Sequence, residues 1–372
     1  MRTLFCNTPY GTGGIGQHFA QLVRESHREG CLDRYYAFSV DPEVPNGHAV
    51  SDSTYGLFTY TPIRFLSAWK SNLAGEIFDR RVARILSRSE TSVKNRTLMG
   101  FAGASLRTFQ IGRAQGVDRL ELVAPNSHVE NVARLHARAA ADSGIRDTWL
   151  NDAQRRKTLR EYAMADRIYV HSDYVWHSFV DAGIPASKLV RSYLCPHPRF
   201  QPPPTRPVQS TFRIAYVGRV EMTKGLGVLL DAFDRLPVAD AQLHLVGGWS
   251  TRTVRRAVEA RQAADPRIVV QPGDPLPILQ SADVFVHPSY EDGFGYAPME
   301  ALACGTPVLV TAETGMAEYV VERVNGRVLP TGCVDSLVDG LLDTYQHPLA
   351  ATRPLLPAHY YAERSISVQC TT

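Results

Sequence analysis

The chain has 372 residues, more than a single hydrophobic core usually serves, so the sequence predicts two domains and excludes a small stapled scaffold. Hydrophobic residues make up 44% and charged residues 21%, which excludes extensive disorder. The formal charge is only +3, so the chain lacks the electrostatic footprint of a dedicated nucleic-acid-binding protein.

Cysteine usage and the apolar segments bear on where the protein resides. The six cysteines are scattered, without a Cys-x-x-Cys pair or a histidine at ligand spacing, so neither a disulfide framework nor a zinc site is predicted. Residues 1–9 do not have the apolar region of a signal peptide, and no apolar stretch reaches the roughly 18 residues of a membrane span. We expect a cytoplasmic protein, with peripheral membrane contact left open.

The first half of the chain alternates short apolar segments with helical patterns, the order typical of βαβ units and a parallel sheet. A helix is predicted from Ile15 to Glu29, after a glycine-rich turn. The stretch from Pro42 to Ile77 is polar and irregular, and we expect it to be a loop region that contacts substrate. Strands are predicted at residues 3–6, 36–40, 98–101, 120–123, 167–170 and 189–193.

A proline cluster from Phe200 to Pro207 predicts a domain boundary, because such stiff segments commonly separate domains. A second alternation of strands and helices follows it. It includes an amphipathic helix with the apolar stripe Leu226, Leu229, Leu230 and Phe233. Strands are predicted at residues 213–217, 242–246, 268–271, 284–287, 308–311 and 327–329, and a last helix at residues 359–365.

The segment from Ser289 to Pro307 carries the strongest functional signal. A strand ends at His287, and the Gly293-Phe294-Gly295 loop follows. A short helix then runs to Gly305. Asp292 lies at the start of the loop and Glu300 in the first turn of the helix, so both carboxylates can point into one crevice. There they can accept hydrogen bonds from sugar hydroxyls, and the glycine backbone lets a ligand approach its N–H groups. The alternative is a capping acid beside a solvated one.

A pair of basic residues follows the first strand of the second half. The strand ends at Gly218, Arg219 comes next, and a helix starts near Lys224. Free amides at a helix N-terminus, together with a guanidinium and an ammonium group, can hold a diphosphate without a metal. The alternative is a pair of solvated charges.

The first glycine turn contains Gly13, Gly14 and Gly16 and matches the pattern G-x-G-x-x-G from Gly11 onward. This pattern raises the alternative of an NAD(P)-dependent oxidoreductase, with Asp41 on the ribose. The dinucleotide fingerprint has its acid about 20 residues on, whereas Asp41 is thirty residues from Gly11. A glycine turn at a helix N-terminus also suits a phosphate or sugar that approaches from the other domain.

His128 follows the strand at residues 120–123 and is a candidate for the same crevice. There it would donate a hydrogen bond to a substrate hydroxyl or to developing charge. The alternative is an incidental histidine beside a helix-capping Asn126-Ser127 pair. The other histidines, including His171 and His287, are interpreted as structural or surface residues.

Several patterns are missing from the sequence. There is no Asp-x-Asp triplet to hold a divalent ion against a diphosphate, so no essential metal is expected. Neither a G-x-x-x-x-G-K-[ST] phosphate loop nor a G-x-S-x-G nucleophile elbow is present, which disfavours P-loop nucleotide hydrolysis and acyl transfer.

At these residues the sequence resembles the retaining GT-B glycosyltransferases of family 4. The matching segments are IAYVGR (214–219), MTKG (222–225), DGFG (292–295) and EALACGTPV (300–308). The resemblance implies an α/β fold of two Rossmann-like, doubly wound domains that face a central cleft. It places an acceptor-binding domain at 1–205, a nucleotide-sugar-binding domain at 206–350, and a tail at 351–372 that returns towards the first domain.

The resemblance also implies roles for site residues. Arg219 and Lys224 would hold the donor diphosphate, Glu300 the nucleotide ribose, and Asp292 the donor sugar. The other implied site residues are backbone groups near the donor and the crevice histidine: Gly13, Gly14, Gly16, Gly293, Phe294, Gly295 and His128. Family members usually have Glu where this chain has Asp292, and a Gly-Val-Asp where it has residues 194–197.

The implied activity is retaining, metal-independent transfer of a hexosyl unit from a UDP- or GDP-sugar to a hydroxyl of a sugar acceptor, without a cofactor. A bacterial cell-envelope polysaccharide or a lipid-linked oligosaccharide is the expected product. Three alternatives stay open: a small metabolite as acceptor, the oxidoreductase, and an inactive sugar-binding partner of another transferase.

Overall fold

The computed structural model describes residues 1–50, 67–88, 96–206 and 210–362. In this part of the chain two separate parallel sheets form, one in each half. The strands of the first sheet are β1 (Arg2–Phe5), β2 (Leu32–Ala37), β3 (Gly47–Ala49), β4 (Thr97–Phe101), β5 (Arg119–Val123), β6 (Arg167–Val170) and β7 (Leu189–Arg191). Those of the second are β8 (Phe212–Val217), β9 (Ala241–Val246), β10 (Ile268–Gln271), β11 (Val284–His287), β12 (Val308–Thr311) and β13 (Gly326–Leu329).

Helices connect the strands in both halves. The helices of the first half are α1 (Gly13–Arg28), α2 (Ser67–Ser87), α3 (Leu106–Ala114), α4 (Val129–Ser143), α5 (Asp152–Met164) and α6 (Asp173–Asp181). Those of the second half are α7 (Leu226–Arg235), α8 (Arg252–Ala264), α9 (Leu276–Ser281), α10 (Tyr296–Ala303), α11 (Val334–Gln346) and α12 (Ala358–Ala362). None of the helices described here is both long and apolar enough to cross a bilayer.

The strand order is β3-β2-β1-β4-β5-β6-β7 in the first sheet and β10-β9-β8-β11-β12-β13 in the second. In each sheet the order reverses beside the first strand, between β1 and β4 and between β8 and β11. Ligands of open α/β sheets bind outside the carboxyl ends of the strands at such a switch point. The glycine turn follows β1, Arg219 and Lys224 follow β8, and Asp292 follows β11. The topology therefore brings these predicted segments to the two switch points.

The cores are built from the strands and from the apolar stripes of the helices. The predicted stripe Leu226, Leu229, Leu230 and Phe233 lies on α7, and all four side chains are buried. Full burial of a side chain of this size stabilises the fold by about 1.5–3 kcal/mol. The periodicity of three and four residues therefore identified the packed face of this helix.

Apolar packing also joins the two halves. Leu135 and Ala139 lie on α4, which follows β5 of the first sheet, yet they pack in the same cluster as Ile214 and Leu229 of the second half. The described part of the tail packs on the second half as well, where Leu355 and Tyr360 join the cluster that contains Met299. Tyr360 Oη also donates a hydrogen bond to the carbonyl of Leu194, in the linker between the sheets, at 3.0 Å.

The stretch from Pro42 to Ile77, predicted to be irregular, is partly regular. It contains β3 at Gly47–Ala49 and the first half of α2, which begins at Ser67. Residues 51–66 lie outside the described residues. The helix forms because Phe78, Val82 and Leu86 repeat every four residues and are buried on one face. The predicted last helix is observed at Ala358–Ala362, and the residues beyond 362 are outside the described part.

Candidate active site

The centre of the site is an ion pair in the second domain. It joins Lys224, from the segment after β8, to Asp292, from the segment after β11. Lys224 Nζ lies 2.9 Å from Asp292 Oδ2 and also donates to the carbonyl of Glu291 at 3.1 Å. Both side chains are 22% exposed, so the pair opens to solvent on one side. The structure thus brings together the predicted basic residue and the first predicted acid.

A close backbone approach places Lys224 beside Asp292. The helical turn Met222–Lys224 ends at Gly225, whose φ is +74°, and α7 starts directly after it. A Cβ on Gly225 would lie 1.8 Å from the carbonyl oxygen of Pro288. Since only glycine fits there, the end of this turn packs directly on the segment that leads from β11 to Asp292.

The charges of this pair support each other. Burial alone would raise the pKa of Asp292, but Lys224 and His287 hold it well below its usual range. Burial alone would lower the pKa of Lys224, but Asp292, Glu221 and Glu291 raise it. The ammonium and the carboxylate are therefore both ionised. Lys224 has three N–H donors and uses two on the protein, which leaves one for a ligand.

Arg219 lies at the carboxyl end of β8 but does not contact this pair. Its side chain is 50% exposed, and its NH1 atom lies 3.5 Å from Glu221 Oε2. Glu221 is itself buried and accepts a hydrogen bond from Thr223 Oγ1 at 2.9 Å. A half-exposed guanidinium with one long ion pair is available to an anion that enters the crevice.

Glu300, the second predicted acid, faces the glycine turn of the first domain. It is the fifth residue of α10, just past the first turn, and is 5% exposed. Burial raises its pKa to about 7, against the opposing effects of Arg199 and of a hydrogen bond from Gln17. Gln17 lies on α1, so this hydrogen bond crosses between the two domains.

The glycine turn needs its glycines for two different reasons. The N–H of Gly11 donates to the carbonyl of Gly16 at 3.0 Å, and a Cβ on Gly16 would lie 2.5 Å from the carbonyl oxygen of Pro9. Gly13 has a φ of +65°. Gly14 instead lies against the second domain, because a Cβ there would come within 3.1 Å of the Tyr296 ring. The turn is therefore folded tightly and set against the start of α10.

The Gly293-Phe294-Gly295 loop is largely used for packing. A Cβ on Gly293 would lie 2.1 Å from the carbonyl oxygen of Pro125 in the first domain. The carbonyl of Gly293 accepts a hydrogen bond from Ser172 Oγ at 2.6 Å. Phe294 is buried in the second domain, and Gly295, with a φ of +97°, precedes α10. The loop thus fixes the contact between the domains and the direction of α10.

Two residues that sequence reasoning did not assign to the site lie beside Asp292. His287 Nε2 lies 3.0 Å from Asp292 Oδ2. The buried Glu291 reaches the first domain, where it accepts hydrogen bonds from Ser127 N at 2.8 Å and Asn126 Nδ2 at 2.9 Å. Their closeness to Asp292 in the sequence was the available signal.

The structure does not bring His128 to this group. It is the N-cap of α4, and its Nδ1 atom accepts a hydrogen bond from the N–H of Glu130 at 3.4 Å. Its ring contacts those of Tyr162 and Phe179 at centroid distances of 5.1 and 5.2 Å, and the residue is 4% exposed. Burial lowers its pKa. This geometry is that of a capping residue in the first domain, and a catalytic role for His128 stays a prediction.

A cavity of about 570 Å³ is lined in part by Gln17. It lies between α1 and the linker that leads to the second domain, and its wall includes Tyr10, Arg24 and His197. No group of three or more histidine, cysteine, aspartate or glutamate side chains in the described ranges could hold a metal ion. Metal independence stays a prediction.

The second half of the chain is similar in sequence to glycosyltransferases. Residues 200–353 match the family model described as glycosyl transferases group 1. D-inositol 3-phosphate glycosyltransferase of Xylanimonas cellulosilytica is 38% identical over 128 residues, which are 32% of this chain and 30% of that protein. O-antigen chain mannosyltransferase B of Escherichia coli is 30% identical over 166 residues, 41% of this chain and 43% of that protein. The matched segments span less than half the length of these relatives.

Solved structures match over nearly the whole chain. Sucrose-phosphate synthase of Thermosynechococcus elongatus has a TM-score of 0.70 at 18% identity and covers 95% of this chain and 92% of its own. Anabaena HepE in complex with UDP has a TM-score of 0.66 at 15% identity, with coverages of 95% and 93%. WaaG, a glycosyltransferase involved in lipopolysaccharide biosynthesis, has a TM-score of 0.67 at 17% identity, with coverages of 97% and 95%. The chain therefore has the GT-B fold, and the predicted fold class is confirmed.

Proposed function

We propose that this protein is a retaining, metal-independent glycosyltransferase that moves a hexosyl unit from a UDP- or GDP-sugar to a hydroxyl of a sugar acceptor. The observation that carries the proposal is the placement of Lys224, Asp292 and Glu300 at the switch point of the second sheet, with Glu300 facing the glycine turn that follows β1 of the first sheet. At the start of the segment from Asp292 to Glu300, Lys224 contacts Asp292 and keeps one N–H donor for a ligand. At the end of the segment lies the buried acid Glu300.

The proposed donor position follows from these chemical types. The diphosphate lies between Lys224 and Arg219, because an ammonium and a guanidinium both stabilise phosphate oxygens. The ribose hydroxyls lie on Glu300, whose carboxyl faces the glycine turn through Gln17. The donor sugar then lies near Asp292. HepE has been solved in complexes with UDP and with UDP-glucose, which supports a nucleotide-sugar donor.

The proposed mechanism relies on positioning and on charge. Lys224 and Arg219 stabilise the negative charge that develops on the leaving diphosphate, in a cleft shielded by the contacts between the domains. The acceptor hydroxyl attacks the anomeric carbon from the face that the leaving group vacates. Its proton passes to a donor phosphate oxygen. The C–O bond to the diphosphate breaks as the new glycosidic bond forms, and no side chain is assigned as the general base.

The proposed acceptor is a sugar hydroxyl in bacterial cell-envelope polysaccharide or lipid-linked oligosaccharide synthesis. The supporting observations are the names of similar proteins, which include an O-antigen mannosyltransferase and a lipopolysaccharide glycosyltransferase. The first relative named above is a D-inositol 3-phosphate glycosyltransferase, so a small phosphorylated acceptor belongs in the same test.

The proposal is tested with a panel of UDP- and GDP-sugars, with and without EDTA, against sugar acceptors. Nucleotide release and product mass report transfer, and NMR of the product reports the anomeric configuration. Wild-type protein is expected to transfer from one donor class with retention and without added metal. Release of no nucleotide from any donor and acceptor pair would contradict the proposal, as would an inverted product.

The first variant to compare is Arg219→Ala, which removes the exposed cation. We expect turnover to fall by about 10²-fold or more, because the leaving diphosphate loses one of its two cations. Arg235→Ala is the matched control, since Arg235 is similarly exposed at 59% and also pairs with an acid, Asp335, at 3.0 Å. Equal turnover of the two variants would remove Arg219 from the donor site.

A further inference from the structure

His287 is the last residue of β11, five residues before Asp292, and it contacts Asp292 directly. The residue is 4% exposed. Its ring is nearly parallel to that of Phe285, with centroids 6.3 Å apart and an interplanar angle of 17°. The ring therefore lies buried at the end of the strand, on the same face as Phe285.

The contact defines which nitrogen carries the hydrogen. Asp292 is ionised and its Oδ2 atom can only accept, so His287 Nε2, at 3.0 Å, is the donor. The other ring nitrogen, Nδ1, is buried and has no hydrogen-bond partner in the described part of the chain. The polar function of this buried ring is thus directed at Asp292.

The two oxygens of Asp292 are in different states. Oδ2 accepts from both Lys224 Nζ at 2.9 Å and His287 Nε2 at 3.0 Å. Within the described residues, Oδ1 has only a long contact of 3.4 Å with the N–H of Phe294. A carboxylate oxygen has two lone pairs, so Oδ2 is saturated while Oδ1 keeps acceptor capacity for a ligand.

We propose that His287 is a positioning residue for the transfer reaction, and that it fixes the rotation of the Asp292 carboxylate so that Oδ1 faces the donor sugar. This inference rests on the proposed function. Without His287, Oδ2 would be held by the flexible Lys224 side chain alone, and both would move together when Lys224 turns to the diphosphate. With His287, the carboxylate keeps its orientation while Lys224 binds its phosphate.

Two substitutions separate this role from simple core packing. His287→Phe keeps the ring that lies along Phe285 but removes the N–H donor, and His287→Gln keeps an N–H donor near the position of Nε2 but loses the ring. If His287 positions Asp292, kcat falls about 10- to 100-fold in the Phe variant and stays within about threefold in the Gln variant. The affinity for the nucleotide without its sugar is unchanged in both, because the residues proposed to hold the nucleotide are untouched.

The opposite ranking would overturn the proposal. If His287 only fills space, the Phe variant keeps its kcat and the Gln variant loses stability and activity. A double-mutant cycle with Asp292→Asn provides a second criterion: the loss from His287→Phe should largely disappear when Asp292 is already changed. Multiplying losses would show that the two residues act independently.

An NMR measurement covers the case in which His287→Phe does not fold. In wild-type protein the ¹⁵N signals of His287 should report the Nε2–H form, and Asp292→Asn should shift the Nε2 signal. An unperturbed signal would overturn the proposal. The NMR experiment also separates the positioning role of His287 from the proposed function. An inactive wild-type enzyme would contradict the proposed function, whereas the response of the Nε2 signal to Asp292→Asn reports on the His287–Asp292 contact alone.

Discussion

The adjacent acids Glu291 and Asp292 have different hydrogen-bond partners and therefore different roles. Asp292 turns to Lys224 and His287 within its own domain, whereas Glu291 turns to Ser127 and Asn126 in the other. Burial raises the pKa of Glu291, and Lys224 and the Ser127 N–H oppose that rise. One acid therefore organises the proposed donor site, and the adjacent one ties that site to the first domain.

Glu300 makes a testable link between protonation and ligand binding. Its pKa is raised to about 7 by burial, so near pH 7 part of the free protein carries the neutral acid. Ribose hydroxyls donate hydrogen bonds to a carboxylate and favour its ionised form. Nucleotide binding at pH 7 should therefore release a fraction of a proton from this residue. Calorimetry in buffers of different ionisation enthalpy measures that release.

The raised pKa of Glu300 determines how nucleotide affinity should change with pH. Ligand binding lowers a raised pKa, so nucleotide affinity should increase as the pH rises through 7. Glu300→Gln cannot release this proton and serves as the reference for titration of the phosphates themselves. Equal proton release by Glu300→Gln and wild-type protein would place the ribose elsewhere.

The sequence allowed prediction of the charged pair of this site but not of its supporting residues. Lys224 and Asp292 follow strand ends with glycines beside them, and this pattern places charges at the carboxyl edge of a sheet. His287 lies within a strand, where the alternation of faces does not distinguish a packed ring from one that orients a carboxylate. The cap position of His128 depends on where α4 begins, and sequence patterns locate helix ends only approximately.

Helix α3 shows how a helix end at the switch point can be closed to ligands. Glu161 accepts hydrogen bonds from the N–H groups of Ser105 and Leu106 at 2.8 and 3.0 Å. Asp79 accepts from those of Arg107 and Thr108, both at 2.8 Å. The first free amides of α3 are thus satisfied by two buried acids of the protein itself. The start of α1, by contrast, faces Glu300 through the hydrogen bond from Gln17.

Removal of Asp79 should destabilise the first domain. Asp79 is fully buried, and Lys157 Nζ, itself 7% exposed, lies 3.1 Å from it. Asp79→Ala leaves the two α3 amides without acceptors and weakens the pairing of Lys157, so we expect a loss of about 3 kcal/mol in the free energy of unfolding. Urea denaturation measures this loss.

Asp335→Ala is the control, because Asp335 is an 85% exposed partner of Arg235. This variant should change the free energy of unfolding by no more than about 0.5 kcal/mol. A loss of similar size in both variants would contradict this role of Asp79.

Elements were predictable where the apolar period was regular and less so elsewhere. The stripe on α7 and the continuous apolar strands of both sheets identified their elements directly. Helix α2 begins inside a polar stretch of the sequence, and the apolar residues that mark its packed face, Phe78, Val82 and Leu86, lie in its second half. Its first residues therefore gave no periodic signal, and the stretch was predicted to be irregular.

At the scale of the molecule, the cleft is formed by contacts that hold the two domains together. Arg191 of β7 pairs with Glu318 of the second domain, and Glu318 also accepts from the N–H of Asp173 at 2.7 Å. Arg138 of α4 donates to the carbonyl of Thr331 at 2.7 Å. These polar contacts join the two domains in addition to the apolar packing of α4. The sequence predicted two domains and a linker, but contacts across the cleft depend on tertiary geometry that local patterns do not encode.

A methyl group added at Gly293 tests how strongly the site depends on the packing of Gly293 against Pro125 of the first domain. Gly293→Ala places a methyl group 2.1 Å from the carbonyl oxygen of Pro125, without a change of backbone conformation. We expect a loss of about 1–3 kcal/mol from overpacking, faster hydrogen exchange at the Ser127 amide, and lower turnover. Gly248→Ala is the matched control, because no atom lies within 4 Å of its added Cβ. An unchanged exchange rate at the Ser127 amide in Gly293→Ala would contradict the prediction, because it would show that the added methyl group does not disturb the domain contact.

The most direct measurement is a crystal structure of the protein with the nucleotide of its donor bound. We predict that the diphosphate oxygens lie within hydrogen-bond distance of Arg219 and Lys224, and that the ribose hydroxyls lie on Glu300, between the glycine turn and α10. A nucleotide bound instead in the cavity between α1 and the linker, with Lys224 and Glu300 free of it, would contradict the proposed site.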